Sequence, residues 1–144
     1  MKRRLIDTLY VEAMVLADEA RSYFDETGRL ERELLDPMAR VAFSCESLKV
    51  TTRLMHVIAW LLTQRAVDAG ELRISDALDP SRRLGPAPTS DPAAIAAMPH
   101  QAGTMIASSV DLYRRVARLD ESQTASAVPA SPARSMLDRL ATAF

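Results

Sequence analysis

From Pro37 to Ala69 the chain runs through about nine helical turns without a glycine, and the one proline of the span stands at its first position. Asp36 before it and Gly70 after it are good N-cap and C-cap residues, so the spacing predicts a single helix over 37–69. At 1.5 Å per residue it is roughly 50 Å long, far above the usual three turns. The helix carries two apolar stripes. Val41, Cys45, Leu48, Thr52, Met55, Ala59, Leu62 and Ala66 step alternately by 4 and 3 and share one face. Phe43, Val50, Leu54, Val57 and Leu61 make a second stripe about 150° around the helix axis. A helix that is apolar on opposite faces must be covered on both, which makes this one the spine of the molecule.

Two more long helices are legible. Leu5, Leu9, Ala13, Leu16, Ala20 and Tyr23 keep the 4–3 spacing over residues 5–26, with Glu12, Glu19 and Glu26 on the other side; Gly28 reads as a left-handed cap. Residues 79–98 hold Pro80, Pro86, Pro88 and Pro92 among Ala, Ser and Gly, and Pro99 follows directly, which is connector chemistry, with a brief helix expected from Asp91-Pro92 to Ala97. A third helix is predicted over 99–120, with Met105, Ser109, Leu112, Val116 and Leu119 on one face. Residues 121–132 are Ser/Ala/Pro-rich and read as disordered. Beyond them Ala133, Leu137, Leu140 and Phe144 repeat by 4, 3 and 4, the mark of a short amphipathic helix on a tether.

Three long amphipathic helices without a strand-like run predict an all-α fold: an antiparallel three-helix bundle over residues 1–120, in up-down-up order, with a long central helix and a flexible C-terminal tail over 121–144. The first spine stripe, Cys45 included, is expected in the bundle core. The second, represented by Val50, Leu54, Val57 and Leu61, is then only partly covered by two neighbouring helices. It is the candidate dimer or packing face.

Composition narrows the function. A net charge of −1 with 26% charged residues argues against a general nucleic-acid binder, which shows a basic excess. One cysteine gives no disulfide framework, and Asp7, Glu12, Asp18 and Glu19 interrupt the apolar residues that would follow a secretory n-region. The densest apolar run, Leu54 to Leu62, contains His56 and is too short to span a bilayer. A cytoplasmic protein without membrane insertion is expected.

No catalytic constellation emerges, and no cofactor or metal is expected. His56 has Ala59 and Trp60 at the positions where a second ligand or carboxylate would stand, so it reads as a partly buried structural histidine; His100 opens the third helix. Cys45 has no histidine at a predictable distance, and the four glycines are isolated, so no phosphate loop exists. The only polar residues on core stripes are Thr52, Cys45 and Ser109. Two surface features stand above this background. Arg114, Arg115 and Arg118 form a candidate basic docking ridge for an acidic partner. The terminal peptide offers Met136, Leu137, Leu140 and Phe144 flanked by Arg134 and Arg139; a helix this short does not bury its apolar side alone, so it folds back on the bundle or docks in another protein's groove.

The runs Leu9 to Asp25, Glu46 to Leu72 and Leu112 to Asp120 resemble the RcdA family of alphaproteobacteria, regulators of CtrA degradation; Thr51-Thr52-Arg53-Leu54-Met55 and Trp60-Leu61-Leu62 are the most distinctive segments. The resemblance implies a homodimeric three-helix bundle without enzymatic activity. Such proteins act as proteolytic adaptors in the cell cycle: they join the ClpX unfoldase, primed by a response-regulator adaptor, and tether client transcription regulators for degradation by ClpP. A cyclic-di-GMP effector protein docks on the adaptor in turn, and recruitment to a cell pole is a further expectation. The alternative is a helical regulatory dimer that binds another protein or a small ligand outside proteolysis. A DNA-binding regulator is disfavoured, because these helices are too long and the charge too balanced for a helix-turn-helix pair.

Overall fold

The computed structural model of the chain describes residues 2–127 and 139–140, and every regular element among them is helical. The spine is α3, Pro37–Asp68. It starts where expected: the Asp36 side chain accepts a hydrogen bond from the Ala39 N–H at 2.9 Å, and Pro37 occupies the first turn, where a missing N–H costs nothing. It stops at Gly70, whose φ of 77° lets the Glu71 N–H turn back to the Ala66 carbonyl at 2.9 Å.

Before it stand α1 (Lys2–Ser22), a single π-helical turn (Tyr23–Thr27) and α2 (Gly28–Glu33). The expected left-handed cap at Gly28 is absent. Gly28 sits at φ −65° inside continuing helix, because Arg29 to Glu33 are good helix formers and carry the rod on. The glycine is needed for space instead. A Cβ there would lie 2.7 Å from the Tyr23 carbonyl oxygen.

Asp79 and Asp91 cap the short helices of the connector, a 3-10 turn (Pro80–Arg82) and α5 (Pro92–Ala96), after a one-turn α4 (Ile74–Ala77). The last long helix, α6, runs His100–Ala127, seven residues past the expected end at Asp120. Residues 121–127 contain no Gly or Pro, so nothing breaks the helix before Pro129, and Gln123 donates to Gln64 at 2.7 Å to hold the extension on α3. The low-complexity composition concealed that continuity.

The core lies among α1, α3 and α6 and is built from Leu9, Ala13 and Tyr23, from Val50, Val57 and Leu61, and from Ile106, Leu112 and Val116. Their directions differ from the expected up-down-up order. Arg53 bonds to Ser109, Trp60 to Asp120 and Gln64 to Gln123, so positions rise together and α6 runs parallel to α3. Only α1 is antiparallel: Asp7 meets Arg65 near one end of α3, and Phe24 meets Phe43 near the other. The connector makes this possible. It returns along the α3–α6 groove, with Arg83 on Asp120, Gly85 on Tyr113 and Pro88 on Arg53, and so starts α6 from the same end as α3. Short loops force antiparallel neighbours, whereas a long crossover does not.

That crossover also settles which stripe faces in. Val50, Leu54, Val57 and Leu61 are all buried within the monomer, so of their two expected roles they take the packing one. The other stripe points outward, and Cys45, expected in the core, is exposed. α1, α6 and the connector together cover the second stripe and its flanks, and among the described residues they leave the first largely exposed.

Candidate interaction surfaces

The crossover brings a polar cluster into the bundle that helical periodicity did not reveal. Arg53, 2% exposed, donates from Nε to the Pro88 carbonyl at 3.1 Å, from one terminal nitrogen to Ser109 Oγ at 3.2 Å, and from the other to Ser90 Oγ at 2.5 Å. Ser90 passes the link on by donating to the buried Glu46 carboxylate at 2.5 Å, which Lys49 also pairs at 3.2 Å. Burial pushes the Arg53 pKa down, and the charge of Glu46 pushes back. A second cluster closes the other end. Asp120 accepts from the Trp60 indole N–H at 3.1 Å and pairs with Arg83 at 2.9 Å. Both clusters clamp the connector to α3 and α6.

Beside Arg53 the connector, α5 and α6 leave an open cleft of about 430 Å³, lined by Pro88, Pro92, Ile95, Val110 and Arg114 among others. The expected basic ridge is divided by this geometry. Arg114 stands at the cleft and Arg118 is exposed, but Arg115 turns the other way to pair with Glu12 of α1 and with Asp111 at 3.0 Å. Those carboxylates hold its guanidinium charged, its pKa raised above the ordinary arginine value, with the Glu12 hydrogen bond as the largest cause.

His56 is half-buried with an unpartnered Nδ1, His100 is exposed, and among the described residues no group of three His, Cys, Asp or Glu side chains is placed to hold a metal. Arg139 and Leu140 are described, both helical and exposed; Arg134, Met136, Leu137 and Phe144 lie outside the described residues.

An exposed apolar line runs along the outer face of α3. Val41, Leu48 and Met55 are 60%, 68% and 64% exposed, and Leu62 follows on the same line. Met38, three positions before Val41 on α3, is exposed too, as is Leu34 at the end of α2. Apolar patches this extended on a small protein mark interaction sites.

The chain matches, over residues 1–144, the model of a family described as protein of unknown function, DUF1465. No curated protein matches it in sequence. Among solved structures it is similar to RcdA from Caulobacter crescentus CB15, with a TM-score of 0.68 and 33% identity over 83% of this chain and 90% of that one. The chain belongs to the RcdA-like family. The resemblance carried by the first helix, the spine and Leu112 to Asp120 therefore holds across nearly the whole described fold. Within this RcdA-like chain, no helix among the described residues is long and apolar enough to cross a membrane.

Sequence reasoning missed both clusters, Glu46 with Arg53 and Ser90, and Arg83 with Asp120. Arg53 lies in the most distinctive family segment, yet its partners stand 35 to 56 positions away in the chain. The available signal was local: a charged Glu46 and Arg53 on the same side of α3 as Val50 and Val57, where a solvated face was not otherwise indicated.

Proposed function

We propose that this protein is a non-enzymatic proteolytic adaptor that acts as a homodimer. In this reading it joins a ClpX unfoldase primed by a response-regulator adaptor, tethers client transcription regulators for degradation by ClpP, and is itself a dock for a cyclic-di-GMP effector protein. It works in the cytoplasm and is drawn to a cell pole by its partners. The observation that supports this most strongly is the 33% identity with RcdA over most of both chains. The physics is compatible with it. Tethering raises the local client concentration to the millimolar range and requires separated docking surfaces rather than chemistry. This chain offers an outward apolar stripe on α3, a cleft by α5 and α6 beside Arg114, and a terminal peptide carrying Arg134, Met136, Leu137, Arg139, Leu140 and Phe144.

The reading is tested by degradation of a candidate client with purified ClpXP and the primed adaptor, with the full chain and with a chain ending at Ala127. Acceleration by the full chain, lost or reduced without residues 128–144, is the expected result. No acceleration and no capture of the unfoldase complex would overturn it. A second reading, a helical regulatory dimer that binds a ligand outside proteolysis, is favoured by the cleft beside the buried Arg53.

A further inference from the structure

Arg53 is a buried cation that no carboxylate touches among the described residues. Its three hydrogen-bond acceptors, the Pro88 carbonyl, Ser109 and Ser90, are all neutral. The carboxylate of its cluster, Glu46, is reached through the Ser90 hydroxyl and is shared with Lys49. Two cations and one carboxylate leave that cluster one positive charge in excess. Burial works against the Arg53 charge, and the attraction of Glu46 offsets this only in part. A guanidinium carries five N–H donors, and three are used here, so two remain for a further acceptor.

Arg53 lines the cleft bounded by the connector, α5 and α6. It is 2% exposed and stands at the depth of the cleft, whereas Arg114 is exposed at the rim. Much of the remaining wall is apolar, from Pro88, Pro92, Ile95, Ala107 and Val110. Asp111, the carboxylate of the lining, is taken up by Arg115 at 3.0 Å, and among the described residues Arg114 makes no ion pair. Low-dielectric walls focus the field of a buried cation into such a cleft. Its volume of about 430 Å³ is that of a small-molecule site. At about 30 Å³ for each water-sized group it holds on the order of a dozen non-hydrogen atoms.

The wall chemistry selects among occupants. Both arginines repel a cation, and a neutral apolar molecule leaves the Arg53 charge uncompensated. A phosphate is typically cradled by successive backbone N–H groups, but the connector places Pro86, Pro88 and Pro92 here, which have none. A planar carboxylate needs only the donors that Arg53 has left. The apolar wall then requires an apolar body behind that head.

We propose that this cleft binds a small organic acid, a carboxylate on an apolar body of up to about ten carbons, with its head on Arg53, Arg114 at the rim, and its body against Pro92, Ile95 and Val110. This names the ligand class for the ligand-binding reading of the cleft and rests on that reading; it asks nothing of an unfoldase or a client. The connector, α5 and α6 all border the cleft, so an occupant ties three elements together and stabilises the folded chain by mass action.

Octanoate is the probe, titrated at pH 7 into the full-length protein by isothermal calorimetry, with octan-1-ol and octylammonium as neutral and cationic counterparts. The expected result is one site per chain with a Kd below about 1 mM and counterparts at least about tenfold weaker. At ten times that Kd the melting temperature should rise by about 3 °C or more. The Arg53 Nε–H, held by the Pro88 carbonyl, should shift in a nitrogen-15 NMR spectrum with octanoate and not with octylammonium. Ala107→Trp fills the cleft from an exposed helix position and should abolish binding. Arg114→Ala should weaken it about threefold, the scale of an exposed charge. Leu48→Asp, on the outward stripe of α3, should bind as wild type does. If Ala107→Trp does not fold, Arg114→Ala and the Arg53 resonance carry the test. Failure of octanoate to bind the wild type overturns the assignment, as does equal binding of octan-1-ol, which marks a plain apolar surface. Loss of binding in Leu48→Asp with retention in Ala107→Trp moves the site to the stripe and overturns it too. Poly-glutamate binding that Ala107→Trp abolishes, where octanoate does not bind, makes the cleft a dock for an acidic protein segment and overturns the small-acid assignment. Degradation by purified ClpXP is measured separately, so none of these failures is a failure of the adaptor reading.

Discussion

Removing the Arg53 guanidinium would strand more than one polar group. Ser109, Ser90 and the Pro88 carbonyl each lose a donor, and Glu46 keeps only Lys49 and Ser90 in a buried setting. Each buried polar group left without its partner costs about 1–3 kcal/mol. Arg53→Leu should therefore lower the melting temperature by about 10 °C or more for a domain of this size, read by circular dichroism. A shift under about 3 °C would mean that the cluster is not a clamp. Tyrosines give a second readout at this scale. Burial and the hydrogen bond to Glu31 raise the Tyr23 pKa above its ordinary value of 10.0, and burial raises that of Tyr113. The folded state keeps these protons after the unfolded chain has released its own. Their stabilisation is therefore complete below the ordinary value and is lost as pH climbs through the raised ones. Stability should be flat with respect to these groups at neutral pH and fall above about pH 10, with ionisation at 295 nm coinciding with loss of helix. In Tyr23→Phe the alkaline fall should be shallower.

At the scale of elements, chain punctuation was informative and partner direction was not. Asp36, Pro37 and Gly70 delimit α3 within one residue, because caps and breakers act locally. Gly28 misled, since the same residue type serves a left-handed cap and a close approach, and only the Tyr23 carbonyl distinguishes them. Gly28→Ala should accordingly behave against helix propensity. Alanine gains about 1 kcal/mol in a helix interior, but a Cβ at 2.7 Å from a backbone oxygen forces a shift of the π turn, and overpacking of that kind costs about 1–3 kcal/mol. The net expectation is a loss of stability in urea unfolding, where propensity alone predicts a gain. The direction of α6 was hidden for another reason. The all-α class follows from periodicity, but a connector as long as residues 69–99 permits either direction, and the choice rests on Arg83, Tyr113 and Arg53 gripping it along the groove.

For the whole molecule, the two stripes of α3 were near equals in hydrophobicity, so their orientation could not be read from apolar content. The decisive residues are Glu46, Arg53 and Trp60, which flank the inward stripe and look like surface or filler until the connector supplies their partners. With that orientation fixed, substitutions on the two stripes should have opposite consequences. Leu54→Asp places a carboxylate where Leu54 is 3% exposed, and Leu61→Asp does so at a site wholly closed to solvent; a buried unpaired charge costs several kcal/mol, so both should yield unfolded or aggregated chain. Leu48→Asp and Met55→Asp face outward and should leave the far-ultraviolet circular dichroism and melting of the protomer nearly intact while converting the proposed homodimer to monomer in light scattering, because a carboxylate on an exposed apolar face costs the fold little and a partner docked there much.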